Sequence, residues 1–99
     1  MPPVVKAADP LPDQAEAILI GPAGQPVYVL AEDEEDDEVR FTWSLSNEGI
    51  VGRGYPVSDG LGSQIDLAYD PELDGQTLRC FLDDGENDYV TLTWHLEVL

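Results

Sequence analysis

Asp74-Gly75-Gln76-Thr77-Leu78-Arg79-Cys80, read together with Trp43, decides the fold. Side chains along a β-strand point alternately to opposite faces, so Leu78, Cys80 and Leu82 share one side while Arg79 and Phe81 take the other. The same period runs through Val39-Arg40-Phe41-Thr42-Trp43-Ser44-Leu45, where Val39, Phe41, Trp43 and Leu45 form one apolar stripe with a polar reverse side. Two such strands allow Trp43 and Cys80 to meet inside a β-sandwich. Trp43, Leu78 and Cys80 are therefore the expected structural core.

Working outward, Ala17-Ile18-Leu19-Ile20 is a short apolar run closed by the turn residues Gly21-Pro22-Ala23-Gly24. Pro26 to Ala31 alternates, with Val27, Val29 and Ala31 on one face and Tyr28 and Leu30 on the other. Residues 46–63 are rich in Gly and turn formers around Ile50, Val51, Tyr55 and Val57, which suits one or two short edge strands. Ile65 and Leu67 mark another strand, ended by the Asp-, Pro- and Gly-dense turn Tyr69 to Gly75. A hairpin connection at Asp83 to Asp88 leads to a long last strand, Tyr89 to Leu99, with Val90, Leu92, Trp94, Leu96 and Val98 on one side. About seven short antiparallel strands, no helical period and no internal repeat predict an all-β sandwich over residues 17–99. Residues 1–16 contain Pro2, Pro3, Pro10 and Pro12 without apolar periodicity and read as an extended arm. Such an arm frays in isolation, or orders against a neighbour through Val4, Val5 and Leu11.

A chain of 99 residues with 42% hydrophobic composition is long enough for one domain with its own core. Its formal net charge of -17, with Lys6, Arg40, Arg53 and Arg79 as the only Lys and Arg residues, excludes nucleic-acid binding by phosphate neutralisation and disfavours anionic membranes. No apolar run is long enough to insert into a bilayer, and the N-terminal residues lack the apolar region of a secretory signal. Together with the initiator Met1 and a single cysteine, which permits no intrachain disulfide, this predicts a soluble protein made in a reducing cytoplasm.

The combination Gly24-x-x-Val27-x-Val29-x-Ala31, Trp43, Ile65-x-Leu67 and Asp74-Gly75-x-x-Leu78-x-Cys80 resembles the immunoglobulin-like fold, in which two Cys and a Trp pin the sheets together. The likeness covers about residues 17–99. It departs from antibody domains at Ala31, which stands where the first Cys would be, and at Leu78, which stands where a corner Tyr would be. These departures bring the sequence nearer to the Ig-like modules of tailed-phage virion proteins and bacterial surface proteins, which also show a turn like Ile50-Val51-Gly52. The resemblance implies a structural or interaction protein: an accessory or decoration protein docked on a capsid or tail protein, made in the host cytoplasm and located in the virion. The alternative it implies is a bacterial or archaeal cell-surface, adhesin-type module that binds calcium or carbohydrate.

Residue chemistry points away from an enzyme. His95 lies on the polar side of the last strand with no Cys or Ser near it in sequence, and Cys80 has no base or positive setting to activate it. Asp70-x-Glu72-x-Asp74-Gly75 imitates the first half of an EF-hand loop, but its twelfth position is Phe81 rather than Glu. No cofactor is expected. The carboxylates Asp83, Asp84, Glu86 and Asp88 form the nearest approach to a weak calcium site, because Ca²⁺ accepts irregular oxygen cages.

In the sandwich that the resemblance implies, the run Glu32, Asp33, Glu34, Glu35, Asp36, Asp37, Glu38 and the group Asp83, Asp84, Glu86, Asp88 emerge at one pole. About half of the 21 Asp and Glu residues would gather there. Such a pole serves either as a solvating cap or as a recognition surface for a basic partner or Ca²⁺. Outward Tyr28, Leu30, Phe81 and Tyr89 form a second candidate surface if sheet neighbours gather them.

Overall fold

The alternation of apolar and polar residues becomes nine strands in a computed structural model that describes residues 4–13, 16–32, 39–52, 54–57, 62–83 and 89–99. They are β1 (Val4–Asp9), β2 (Ile18–Ile20), β3 (Gln25–Glu32), β4 (Arg40–Leu45), β5 (Gly49–Gly52), β6 (Tyr55–Val57), β7 (Gly62–Leu67), β8 (Thr77–Asp83) and β9 (Tyr89–Val98). A 3-10 turn, Pro71–Leu73, precedes β8. One sheet has the order β1-β3-β7-β6 and the other β2-β9-β8-β4-β5, and their inner sides enclose the core of a β-sandwich.

Two expectations are corrected here. The strands are not all antiparallel, because β2 runs parallel to β9, with Ile18 opposite Leu96 and Ile20 opposite Val98. Nor do residues 4–9 form an arm apart from the domain: they are β1, an antiparallel edge strand on β3 from Val4 opposite Glu32 to Asp9 opposite Tyr28. Their lack of a period-2 stripe has a physical reason. An irregularity between Val5 and Ala7 shifts the register, so Val5 and Ala8 both pack against the core although they are three apart in sequence. Beyond β1 the chain crosses to the other sheet. The Trp94 indole N–H donates to the Pro10 carbonyl (2.7 Å) and the Asp13 N–H to the Thr93 carbonyl (2.6 Å) before β2 joins β9.

The expected core is found where it was read. Phe41, Trp43 and Leu45 of β4, Leu78, Cys80 and Leu82 of β8, and Leu92, Trp94 and Leu96 of β9 are buried against Val27, Val29 and Ala31 of β3. Trp43 stands opposite Cys80 within one sheet, so the pair does not bridge the two layers. The bridge is polar: the Trp43 indole N–H donates to Ser63 Oγ of β7 across the sandwich (2.9 Å, buried). Trp43 also stacks on Trp94 with ring centroids 5.7 Å apart. Gly54, where the chain passes from β5 to β6, lies against this bond at φ +68°, and a Cβ there would meet Ser63 Oγ at 2.6 Å and Trp43 Nε1 at 2.8 Å. Only a glycine meets both demands.

Cys80 is a buried free thiol whose pKa is pushed up to about 12 by burial away from water. Its thiolate is thus suppressed at neutral pH, which suits an inert packing residue. The EF-hand-like turn spends two of its carboxylates on the backbone. Asp70 Oδ1 accepts the Glu72 N–H (3.0 Å), capping the 3-10 turn, and Asp74 Oδ1 accepts the Val98 N–H (3.0 Å). Behind them, buried Gln76 donates from Nε2 to the Glu72 carbonyl (2.7 Å) and accepts at Oε1 from the Asn47 N–H (3.2 Å).

Candidate functional site

The two acidic groups attach at one end of the sandwich. Arg40 is paired with Asp83 and Asp83 with Tyr89, so the start of β4, the end of β8 and the start of β9 lie together. At the opposite end, Tyr69 Oη, just past β7, donates to the Leu99 carbonyl (3.0 Å), and Gln25, where β3 begins, pairs with Leu67. Glu32, at the other terminus of β3, therefore shares its end with Asp83. Glu32 and Asp83 are the acidic-pole residues that the structure describes; Asp33, Glu34, Glu35, Asp36, Asp37, Glu38, Asp84, Glu86 and Asp88 lie outside the described residues. Glu32 is held by Lys6 Nζ at 2.9 Å, an exposed pair of small energetic weight.

Among the described residues no group of three or more His, Cys, Asp or Glu side chains is placed to hold a metal ion. Of the calcium candidates only Asp83 falls within them. Of the arm residues, Val5 is partly buried against the core, whereas Val4 and Leu11 are 40% and 68% exposed. β1 is already paired on β3 through its backbone, so docking by this segment as a free arm is not what the fold provides.

The outward aromatic and aliphatic residues separate onto opposite faces. Tyr28 and Leu30 lie on the outer side of the four-stranded sheet, where Leu30 and Val57 close over Gly62, and Tyr55 Oη donates to Asp66 Oδ2 (2.9 Å). Loss of solvent and, after it, the Asp66 carboxylate raise the Tyr55 pKa. Phe81 and Tyr89 lie on the outer side of the five-stranded sheet, ring centroids 6.2 Å apart and planes inclined at 66°. With Thr42 and Asp83 they line a hollow of about 320 Å³ directly beside the acidic end. Sequence alone named Phe81 and Tyr89 as outward residues; their meeting depends on the register that sets Asp83 opposite Tyr89.

His95 is exposed at the far part of this same face, paired with Thr77, and Arg79 stands between Ser44 and Thr93. No family model matches the chain, and neither a curated protein nor a solved structure matches it.

Proposed function

We propose that the chain is a non-enzymatic, Ig-like interaction module that engages a basic protein partner through its acidic end. The observation that carries this reading is the convergence of Glu32 and Asp83 at one end, the points from which both acidic runs leave the strands. A chain of net charge -17 attracts cationic surfaces over a Debye length and repels anionic ones, so the concentrated end favours basic partners in encounter as well as in contact. The strand order β1-β3-β7-β6 facing β2-β9-β8-β4-β5, with a buried Trp on β4 beside a buried Cys on β8, supports the Ig-like assignment.

The setting follows from the resemblance: an accessory or decoration protein of a phage capsid or tail, made in the host cytoplasm. With β1 built into its own sheet, attachment falls to the acidic end rather than to a free N-terminal arm. Sedimentation of the protein with phage particles tests this. Wild-type chain should travel with the particle, and a variant with Glu34, Glu35, Asp36 and Asp37 all replaced by Ser should be lost from it. A chain that never sediments with particles ends the virion setting; equal retention of the neutralised variant ends the role of the acidic end.

A further inference from the structure

We propose that the hollow lined by Thr42, Phe81, Asp83 and Tyr89 receives a single Lys or Arg side chain of the partner. The inference rests on the reading above for the sign of the partner's charge, and it adds the place and chemistry of the anchor. Acidic character alone attracts a basic partner without fixing where it sits, whereas this hollow offers a defined seat.

The walls are chemically suited to a cation. Phe81 and Tyr89 meet nearly edge to face, 6.2 Å apart at 66°, so the hollow is bounded by two rings in different planes. An ammonium or guanidinium within about 6 Å of a ring centroid is attracted by the negative face of the aromatic quadrupole. Asp83 adds a carboxylate wall able to accept a charge-assisted hydrogen bond from the incoming N–H, and the Thr42 hydroxyl oxygen is a further acceptor. At about 320 Å³ the open hollow has room for the end of one long side chain.

Arg40 and Tyr89 flank Asp83 on opposite sides, on β4 and β9, which puts their Cα atoms two strand spacings apart, about 9 to 10 Å. Arg79 lies further along the sheet, opposite Ser44. A partner's cation enters on the Tyr89 side, where this residue is 65% exposed. The larger hollow on the other sheet, about 490 Å³ and lined in part by Gln25, Pro26, Gln64 and Asp66, lacks these features. Among the described residues it has no aromatic wall.

Binding of a ten-residue peptide of alternating arginine and glycine, followed by amide chemical shifts at about 150 mM salt, tests the inference, because screening there limits action at a distance to about 8 Å. The wild-type protein should give saturable shifts centred on Phe81 and Tyr89. Tyr89→Ala, which changes no charge, should weaken binding about fivefold, and Tyr89→Phe, which keeps the ring, should hold affinity within about twofold. If Tyr89→Ala binds the peptide as tightly as wild type, carboxylates alone hold it; the aromatic seat is then wrong while the acidic-end reading stands. If the wild-type protein does not bind the peptide at all, both are wrong.

Discussion

The two sides of the five-stranded sheet are built from the same strands, one residue apart, and they are opposites. Inward, Trp43, Leu78, Cys80, Leu92 and Trp94 are buried, and the Trp43 N–H is satisfied by Ser63. Outward, Thr42, Phe81, Asp83 and Tyr89 leave an aromatic hollow open beside the acidic end. Because side chains alternate strictly along a strand, stability and recognition can occupy alternate residues of β4, β8 and β9 without compromising each other. Substitutions should therefore sort by side: inner ones change stability, outer ones change binding.

The strongest challenge to that division is Trp43→Ala. It empties a site that is 0% exposed, and chemical denaturation should show a loss of about 3 to 5 kcal/mol. Ser63→Ala should cost about 1 to 3 kcal/mol, because the Trp43 indole N–H stays buried without its acceptor. The polar bridge counts for little if urea midpoints fail to separate this variant from wild type. Cys80→Val, a near volume-conserving change, should cost less than about 1.5 kcal/mol.

Cys80 also sharpens the comparison through pH. Its folded pKa, about 12, lies above the ordinary value of 9.0, so the folded state holds the thiol proton more tightly than the unfolded state does. This contribution is complete below about pH 9 and is lost as pH rises from 9 towards 12. Denaturation midpoints of wild type should thus fall across that window more steeply than those of Cys80→Val. Parallel curves would mean that the thiol is not buried as described. Last and smallest in stability is Tyr89→Ala on the outer side, which should leave the unfolding free energy within about 0.5 kcal/mol of wild type.

Strands with a one-sided apolar stripe were legible in the sequence because burial on one face leaves a period of two; β3, β4, β8 and β9 bury most of the residues so read, and Val39, Val90 and Val98 are partly buried against the same core. β1 was not legible as part of the domain. It is held by backbone pairing across a register shift that breaks the alternation, and the carbonyl that anchors its exit belongs to Pro10, invisible to any side-chain pattern. The parallel direction of β2 was hidden too, since Ile18-Leu19-Ile20 has the same composition whichever way it runs. Nothing in the sequence marked Gln76, whose role as a buried anchor arises from Asn47 and Glu72 approaching from two directions. At the candidate site, the acidic groups were plain from composition. The hollow beside them was not, because Phe81 and Tyr89 become neighbours only through the β8–β9 register.

The most direct measurement compares Tyr89→Ala and Cys80→Val for both denaturation midpoint and affinity for the arginine–glycine peptide. Tyr89→Ala should keep its midpoint and lose affinity about fivefold, while Cys80→Val should keep its affinity and carry whatever midpoint change occurs. Loss of both properties together in either variant would contradict the division between the two sides of the sheet.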